Sequence, residues 1–317
     1  MKVLALSSAR REPDFSTVFQ HLGLYVDLDL LVLDKQAQRD LRGTLHGVDL
    51  SRYQRVLLDL HFKHIRRQTH FLQSLPGLLI YEEDACQNYL QGSRWSGHFS
   101  RFYRALPNAR VIVTGASVAD QLAEEGFNVK FIPKGYDPAK IFVEQSKRDI
   151  QLGFIGRTGS AVYTGRREML EQLAVSEPLQ VLRTDPGEPY RKMLNRIVYF
   201  VSADVGLSEY MAKNFEAMAC GCVLLAWRQG AEEEAIGLQD GYHLLLYSSI
   251  DELRGHLQRL RRDPDWAQGI ADNGRCFVEQ HVAHPKLARR LADELGKPPL
   301  PVAISGWRKL LSRLSPF

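Results

Sequence analysis

Eleven short apolar runs, each separated from the next by a segment of helical or turn character, repeat through the whole 317-residue chain. That alternation is the mark of βαβ units, which build parallel sheets covered by helices on both faces. In the first half, strands are predicted at 2–6, 24–26, 56–59, 77–81, 111–114 and 129–132. In the second half they are predicted at 150–155, 179–182, 198–203, 223–226 and 243–247. Between them, 117–125 places Val118, Ala119 and Leu122 on one helical face, and Gly126 stops it. Further helices are predicted at 166–174, 190–195, 214–219, 250–261 and 264–280. The charged stretch Lys147-Arg148-Asp149 divides the two series. The expected architecture is α/β: two Rossmann-like, doubly wound parallel-sheet domains, 1–146 and 147–297, followed by a basic tail, 298–317. Ligands of such domains sit beyond the carboxyl ends of the strands, so the expected site is the cleft between the domains.

Composition removes several alternatives. Forty-one basic residues stand against 37 acidic ones, a formal charge of +4. This suits an anionic small molecule or a membrane surface and is too dispersed along the chain to argue for nucleic acid. Cys86, Cys220, Cys222 and Cys276 form no Cys-x-x-Cys pair, and no His cluster has zinc spacing. They read as reduced thiols, and the expected compartment is cytoplasmic. No apolar run is long enough to span a membrane. The start, Met1-Lys2-Val3-Leu4-Ala5-Leu6, reads as a buried first strand rather than a secretory leader.

The sharpest local signal lies in the second half. A strand at 198–203 runs into Asp204-Val205-Gly206-Leu207-Ser208-Glu209, and a helix then opens near Lys213 or Asn214 and ends at Cys220-Gly221 before another buried strand. A helix starting at such a junction aims its free N–H groups and positive dipole end into the cleft, where a diphosphate would bind. Lys213 adds a charge there. Glu216, one turn in, can accept hydrogen bonds from sugar or ribose hydroxyls. Phe215 and Met218 read as core, and Cys220 and Cys222 as small apolar groups.

Lys213-Asn214-Phe215-Glu216-Ala217-Met218-Ala219-Cys220-Gly221 resembles the C-terminal domain of group 1 (family 4-like) glycosyltransferases, closest to the spore-maturation-type branch. Glu232-Glu233-Glu234, Gly241–Tyr247, Asp251-Glu252-Leu253, Arg262-Asp263-Pro264, Ala271–Arg275 and Glu279-Gln280-His281 extend the likeness over about 190–295. Phe131–Pro138 and Leu152–Arg157 resemble the end of the family's N-terminal domain and the opening of its C-terminal one. The resemblance implies a GT-B fold and transfer of a sugar from a nucleoside-diphosphate donor to a hydroxyl of a glycan, lipid-linked or protein acceptor. It implies a donor site of Gly156, Arg157, Arg166 (or its neighbour Arg167), Glu209, Lys213, Asn214 and Glu216, with the backbone N–H groups of Tyr210, Met211 and Ala212. No cofactor or metal is expected, since cations and the helix dipole would stabilise the leaving diphosphate. Two departures stand out. The spacing from Glu209 to Glu216 is one residue short of the family's pattern, and Ser7-Ser8-Ala9-Arg10 replaces its usual Gly-Gly pair.

In the first half, Glu83 and Asp84 follow one strand and His61 follows another, so these are the candidate catalytic groups for an inverting transfer. In a retaining transfer the departing phosphate serves as base, and the first domain only orients the acceptor. The tail places Trp307, Leu310, Leu311 and Leu314 on one side with Arg308, Lys309 and Arg313 among them. It reads as a helix packing back on the first domain, or as an anchor holding the enzyme peripherally at the inner face of the cytoplasmic membrane. Rival functions are a non-catalytic sugar-nucleotide-binding module and an epimerase on the same frame.

Overall fold

The computed structural model describes residues 1–9, 11, 14–159 and 163–300. The first sheet is built from β1 (Lys2–Ser8), β2 (Asp27–Leu33), β3 (Arg55–Asp59), β4 (Leu78–Glu82), β5 (Arg110–Val113) and β6 (Val129–Phe131). Its order is β2-β1-β3-β4-β5-β6, every pair parallel. The second contains β7 (Ile150–Ile155), β8 (Leu179–Leu182), β9 (Ile197–Ser202), β10 (Val223–Trp227) and β11 (Leu245–Tyr247). Its order is β11-β10-β9-β7-β8, again parallel throughout. Central strands are apolar on both faces because helices cover both. On β1, Val3 and Ala5 join one core cluster and Leu4 and Leu6 another; on β9, Phe200 and its neighbours Tyr199 and Val201 divide likewise.

Ten of the eleven predicted strands are found within two residues of their expected limits. The exception is 24–26, which is the turn closing helix Ser16–Leu22, with the Tyr25 and Val26 amides both bonded to the Leu22 carbonyl. The strand begins afterwards, at Asp27. Its acids Asp27 and Asp29 obscured it, yet they alternate with apolar residues as an edge strand requires.

Helix His284–Gly296 was not among those predicted. It crosses back to the first sheet, where Leu287, Ala288, Leu291 and Leu295 share a cluster with Val18, Phe19 and Leu22. Two buried arginines from the amino ends of β3 and β5 hold its last carbonyls. Arg55 Nε donates to the Leu295 carbonyl (2.9 Å), and Arg110 Nη1 and Nη2 donate to those of Glu294 and Pro298 (2.9 and 3.2 Å). These contacts satisfy carbonyls that the helix leaves open. The proposed tail helix with Trp307 lies outside the described residues. Among the described residues no helix is long and apolar enough to cross a membrane.

Candidate active site

Each sheet has one point where the strand order reverses, and there the loops after adjacent strands part to open a crevice. In the second sheet this point lies between β7 and β9. The loop after β7 supplies Gly156 and Arg157, and the loop after β9 leads into helix Ala212–Ala219. That helix starts at Met211 with no side-chain cap, so its first N–H groups face the crevice without a capping oxygen. Gly156 has no room for a side chain: a Cβ there would lie 2.9 Å from the Phe154 ring and 3.7 Å from Lys213 Nζ. Arg157 is exposed. Gly221 is left-handed (φ 76°) just past the helix, as expected of its C-terminal stop.

Asp204, which follows β9, organises this crevice. It is fully buried and takes Arg166 Nη2 at 2.5 Å, Lys213 Nζ at 3.1 Å, Asn214 Nδ2 at 3.0 Å and Ser202 Oγ at 2.8 Å. Burial pushes its carboxyl up, but Lys213 and Arg166 together with the two hydrogen bonds hold it down at about 2. Lys213 lies 4.6 Å over the Phe154 ring, and burial brings its ammonium down to about 8 even beside Asp204. Sequence reasoning placed Asp204 only as a loop residue. The available signal was an acid immediately beyond an apolar strand at the reversal point.

Several expected donor ligands are occupied elsewhere. Arg166 is buried, with Nε on the Ala203 carbonyl, Nη1 on the Arg157 carbonyl and Nη2 on Asp204, so its guanidinium shapes the loops rather than facing a phosphate. Asn214 turns inward to Asp204. Tyr210, expected to offer its backbone N–H, has a buried side chain whose hydroxyl donates to Glu233 at 3.0 Å. Glu209 is 1% exposed and crosses to the first domain, where its carboxylate accepts from Lys134 Nζ and Thr114 Oγ1. A second buried carboxylate crosses beside it: Glu232 accepts from the Ser117 amide (2.8 Å), capping helix Ala116–Glu124, whose own N-cap is Gly115. Glu209 and Glu232 therefore set the approach of the two domains. Between Asp204 and Glu209, Ser208 has φ 50°, the one positive φ outside glycine among the described residues.

Glu216 stays at the crevice, half-buried, accepting from the Tyr190 hydroxyl at 2.7 Å. Burial raises its carboxyl to about 7, against the pull of Tyr190 and Lys213.

The first sheet reverses between β1 and β3. Ser7 pairs with Asp59 in register and donates to it at 2.8 Å. Arg11 spans the crevice, with Nε on Asp59 (2.5 Å) and Nη2 on Glu83 (3.0 Å), its guanidinium 4.7 Å over the Phe15 ring. Burial would raise Glu83, but Arg11 and Lys134 hold it below the usual range. Lys134 also donates to the Glu83 carbonyl at 3.2 Å, so this cluster adjoins the Glu209 contact. His61 is exposed, its backbone amide held by Gln38 (3.2 Å), and burial and Lys63 lower its imidazole. Asp84 is exposed, its amide bonded to Glu82. The expected trio thus shares one crevice mouth. Asp59 and Arg11, which tie it together, were not recognised as site residues from sequence.

Comparison with known proteins places the fold. Residues 186–293 match the model of the family described as "Glycosyl transferase-like". Similar solved structures include HepE of Anabaena, crystallised with UDP-glucose (TM-score 0.66, 14% identity, covering 93% of this chain and 99% of that one). Sucrose-phosphate synthase from Thermosynechococcus elongatus superposes with TM-score 0.65 at 11% identity, covering 99% and 100%. The chain has the GT-B fold. An α-glucosyltransferase solved with UDP-glucose and DNA aligns over 94% and 100% at 10% identity, TM-score 0.61. No curated protein matches the chain. The matched segment contains Asp204, Lys213 and Glu216, while Gly156, Arg157, Arg166 and the first-sheet crevice lie outside it.

Proposed function

We propose that the enzyme moves a sugar from a nucleoside-diphosphate donor to an acceptor hydroxyl without a metal, on the branch resembling spore-maturation-type glycosyltransferases. One observation carries this reading: Lys213, the closely packed Gly156 and an uncapped helix start converge at the reversal point of the second sheet. The fold is shared with proteins solved with UDP-glucose, which makes the donor class the natural occupant. The diphosphate takes Lys213, Arg157 and the N–H groups after Met211, and ribose or sugar hydroxyls donate to Glu216. As the acceptor oxygen bonds to the anomeric carbon, the carbon–phosphate-oxygen bond breaks and its electrons pass to the departing diphosphate. Lys213 and the helix dipole stabilise that charge.

Of the three acceptor-side candidates, His61 suits proton removal, because burial and Lys63 favour its neutral imidazole and it is open to solvent. Glu83 is committed to Arg11, and Asp84 is exposed among the charges that act on His61. The acceptor would be a glycan, lipid-linked or protein hydroxyl, reached in the cytoplasm or from the inner membrane face. Slow donor hydrolysis without acceptor tests the reading. Release of sugar from one of the UDP-, GDP- or dTDP-sugars, abolished in Glu216→Ala, is expected; turnover undiminished in that variant would refute the site.

A further inference from the structure

The acceptor side of the cleft carries a concentration of positive charge that the chain's overall balance hides. Two stretches, 60–81 and 85–119, contain no Asp or Glu, yet hold seven Lys or Arg and four His. The fold brings part of them together. Helix Phe62–Ile65 starts at His61, and helix Lys35–Arg39 lies against it, tied by Gln38 Oε1 to the His61 amide (3.2 Å) and by Gln68 Nε2 to the Gln38 carbonyl (2.7 Å). Lys35, Arg39, Lys63 and Arg67 are exposed there and have no ion pair among the described residues. The convergence is felt by His64: burial first, then Lys63 and Arg39, bring its imidazole down to about 4.

Trp95 forms the aromatic element of the same surface. It packs edge-on against Phe62 (5.4 Å between centroids), and two guanidiniums lie over its ring, Arg66 at 5.3 Å and Arg94 at 4.9 Å from the centroid. Two guanidiniums held against an indole are the chemistry that takes the negative substituent of a sugar, each able to bind it bidentately. A lipid surface fits less well, because none of the exposed large apolar side chains among the described residues lies in 60–119, so nothing there would insert.

We propose that the Trp95–Arg66–Arg94 surface, with Lys63 beside His61, is an acceptor subsite selecting a saccharide that bears a carboxylate or phosphate. The proposal rests on the glycosyl-transfer reading only in naming this ligand an acceptor. The test is calorimetric titration of the full chain with methyl glucuronide, glucose 6-phosphate and neutral methyl glucoside, with duplex DNA and phosphatidylglycerol vesicles as further arms. The first two arms distinguish carboxylate from phosphate. At least one anionic sugar is expected to bind, with the neutral one at least tenfold weaker and affinity falling with added salt. Arg66→Gln/Arg94→Gln should lose the anionic sugar about tenfold or more while a nucleoside diphosphate raises the melting temperature as in the unmodified chain. Equal binding of neutral and anionic sugars, no binding of either, unchanged affinity in the double variant, or arginine-dependent binding of DNA or vesicles alone would each overturn the proposal. Failure of every nucleoside diphosphate to bind the unmodified chain would instead strike the donor reading.

Discussion

Replacing Asp204 by Asn keeps the shape of a fully buried side chain and removes its charge. Two cations then face one another across it, with Arg166 Nη2 2.5 Å and Lys213 Nζ 3.1 Å from the oxygen that balanced both. Breaking a buried ion pair on one side costs about 3–5 kcal/mol, because the partner's charge stays buried without compensation. For a domain of this size each kcal/mol lowers the melting temperature by about 2–4 °C, so a fall of about 6–20 °C is expected at pH 7.5. The loss should shrink in acid: the Asp204 carboxyl is held at about 2, below its ordinary value of 3.8, so its stabilisation is present above that value and disappears as pH falls through the lower one. Lys213 already stands at about 8 with Asp204 ionised. Without that charge it drops further and loses its proton near neutrality, so nucleoside-diphosphate affinity should fall about tenfold beyond any loss of fold. Differential scanning fluorimetry across pH, paired with nucleotide titration, reads both effects. An Asp204→Asn protein that melts within 2 °C of the unmodified chain and binds nucleotide equally would refute the view that this carboxylate organises the donor crevice.

Other consequences are more local. Glu216→Gln removes a carboxyl whose folded value, about 7, exceeds its ordinary 4.5. Its stabilising effect is full below pH 4.5 and lost by pH 7, so the variant should match the unmodified chain in acid and exceed it by about 1–3 kcal/mol above pH 8 by chemical denaturation. Gly156→Ala should fold with a penalty of about 1–3 kcal/mol and bind nucleotide at least tenfold more weakly, since the new methyl meets Phe154 and crowds Lys213. Arg110→Ala leaves the Glu294 and Pro298 carbonyls without their donor, and hydrogen exchange should quicken through helix Ser16–Leu22 and helix His284–Gly296 before the rest. His61→Gln should cut transfer at least a hundredfold with unchanged nucleotide affinity if an imidazole removes the acceptor proton.

The alternating apolar runs were enough to read the two parallel sheets, because strands buried on both faces are short, continuous and bounded by helical spacing. Edge strand β2 escaped because Asp27 and Asp29 interrupt its apolar run while Leu30 and Val32 stand exposed, so no clean alternation runs its length. The crevice of the second sheet was legible in outline: Gly156 lies in the loop after β7, and Lys213 and Glu216 on the helix that follows β9. What sequence could not show is where long side chains spend their charge. Arg166 and Arg157 read alike as basic residues near a phosphate, yet one is locked on Asp204 and two carbonyls while the other is exposed. Glu209 was paired with Glu216 through the family resemblance, whereas its partners Lys134 and Thr114 lie 75 and 95 residues away. Such non-local pairs leave no periodic trace. The same holds for the basic surface around Trp95, dispersed along the chain and gathered only by folding.

The central claim is that Lys213 and the open start of helix Ala212–Ala219 hold the diphosphate of a nucleotide sugar. Calorimetric titration of UDP, GDP and dTDP into the chain and into Lys213→Gln, without divalent cations, measures this directly. One of the three is expected to bind the unmodified chain and to weaken about ten- to hundredfold in the variant, the range of a lost charge-assisted hydrogen bond of about 1.5–3 kcal/mol. Equal affinity in both proteins, or no binding of any of the three, would contradict it.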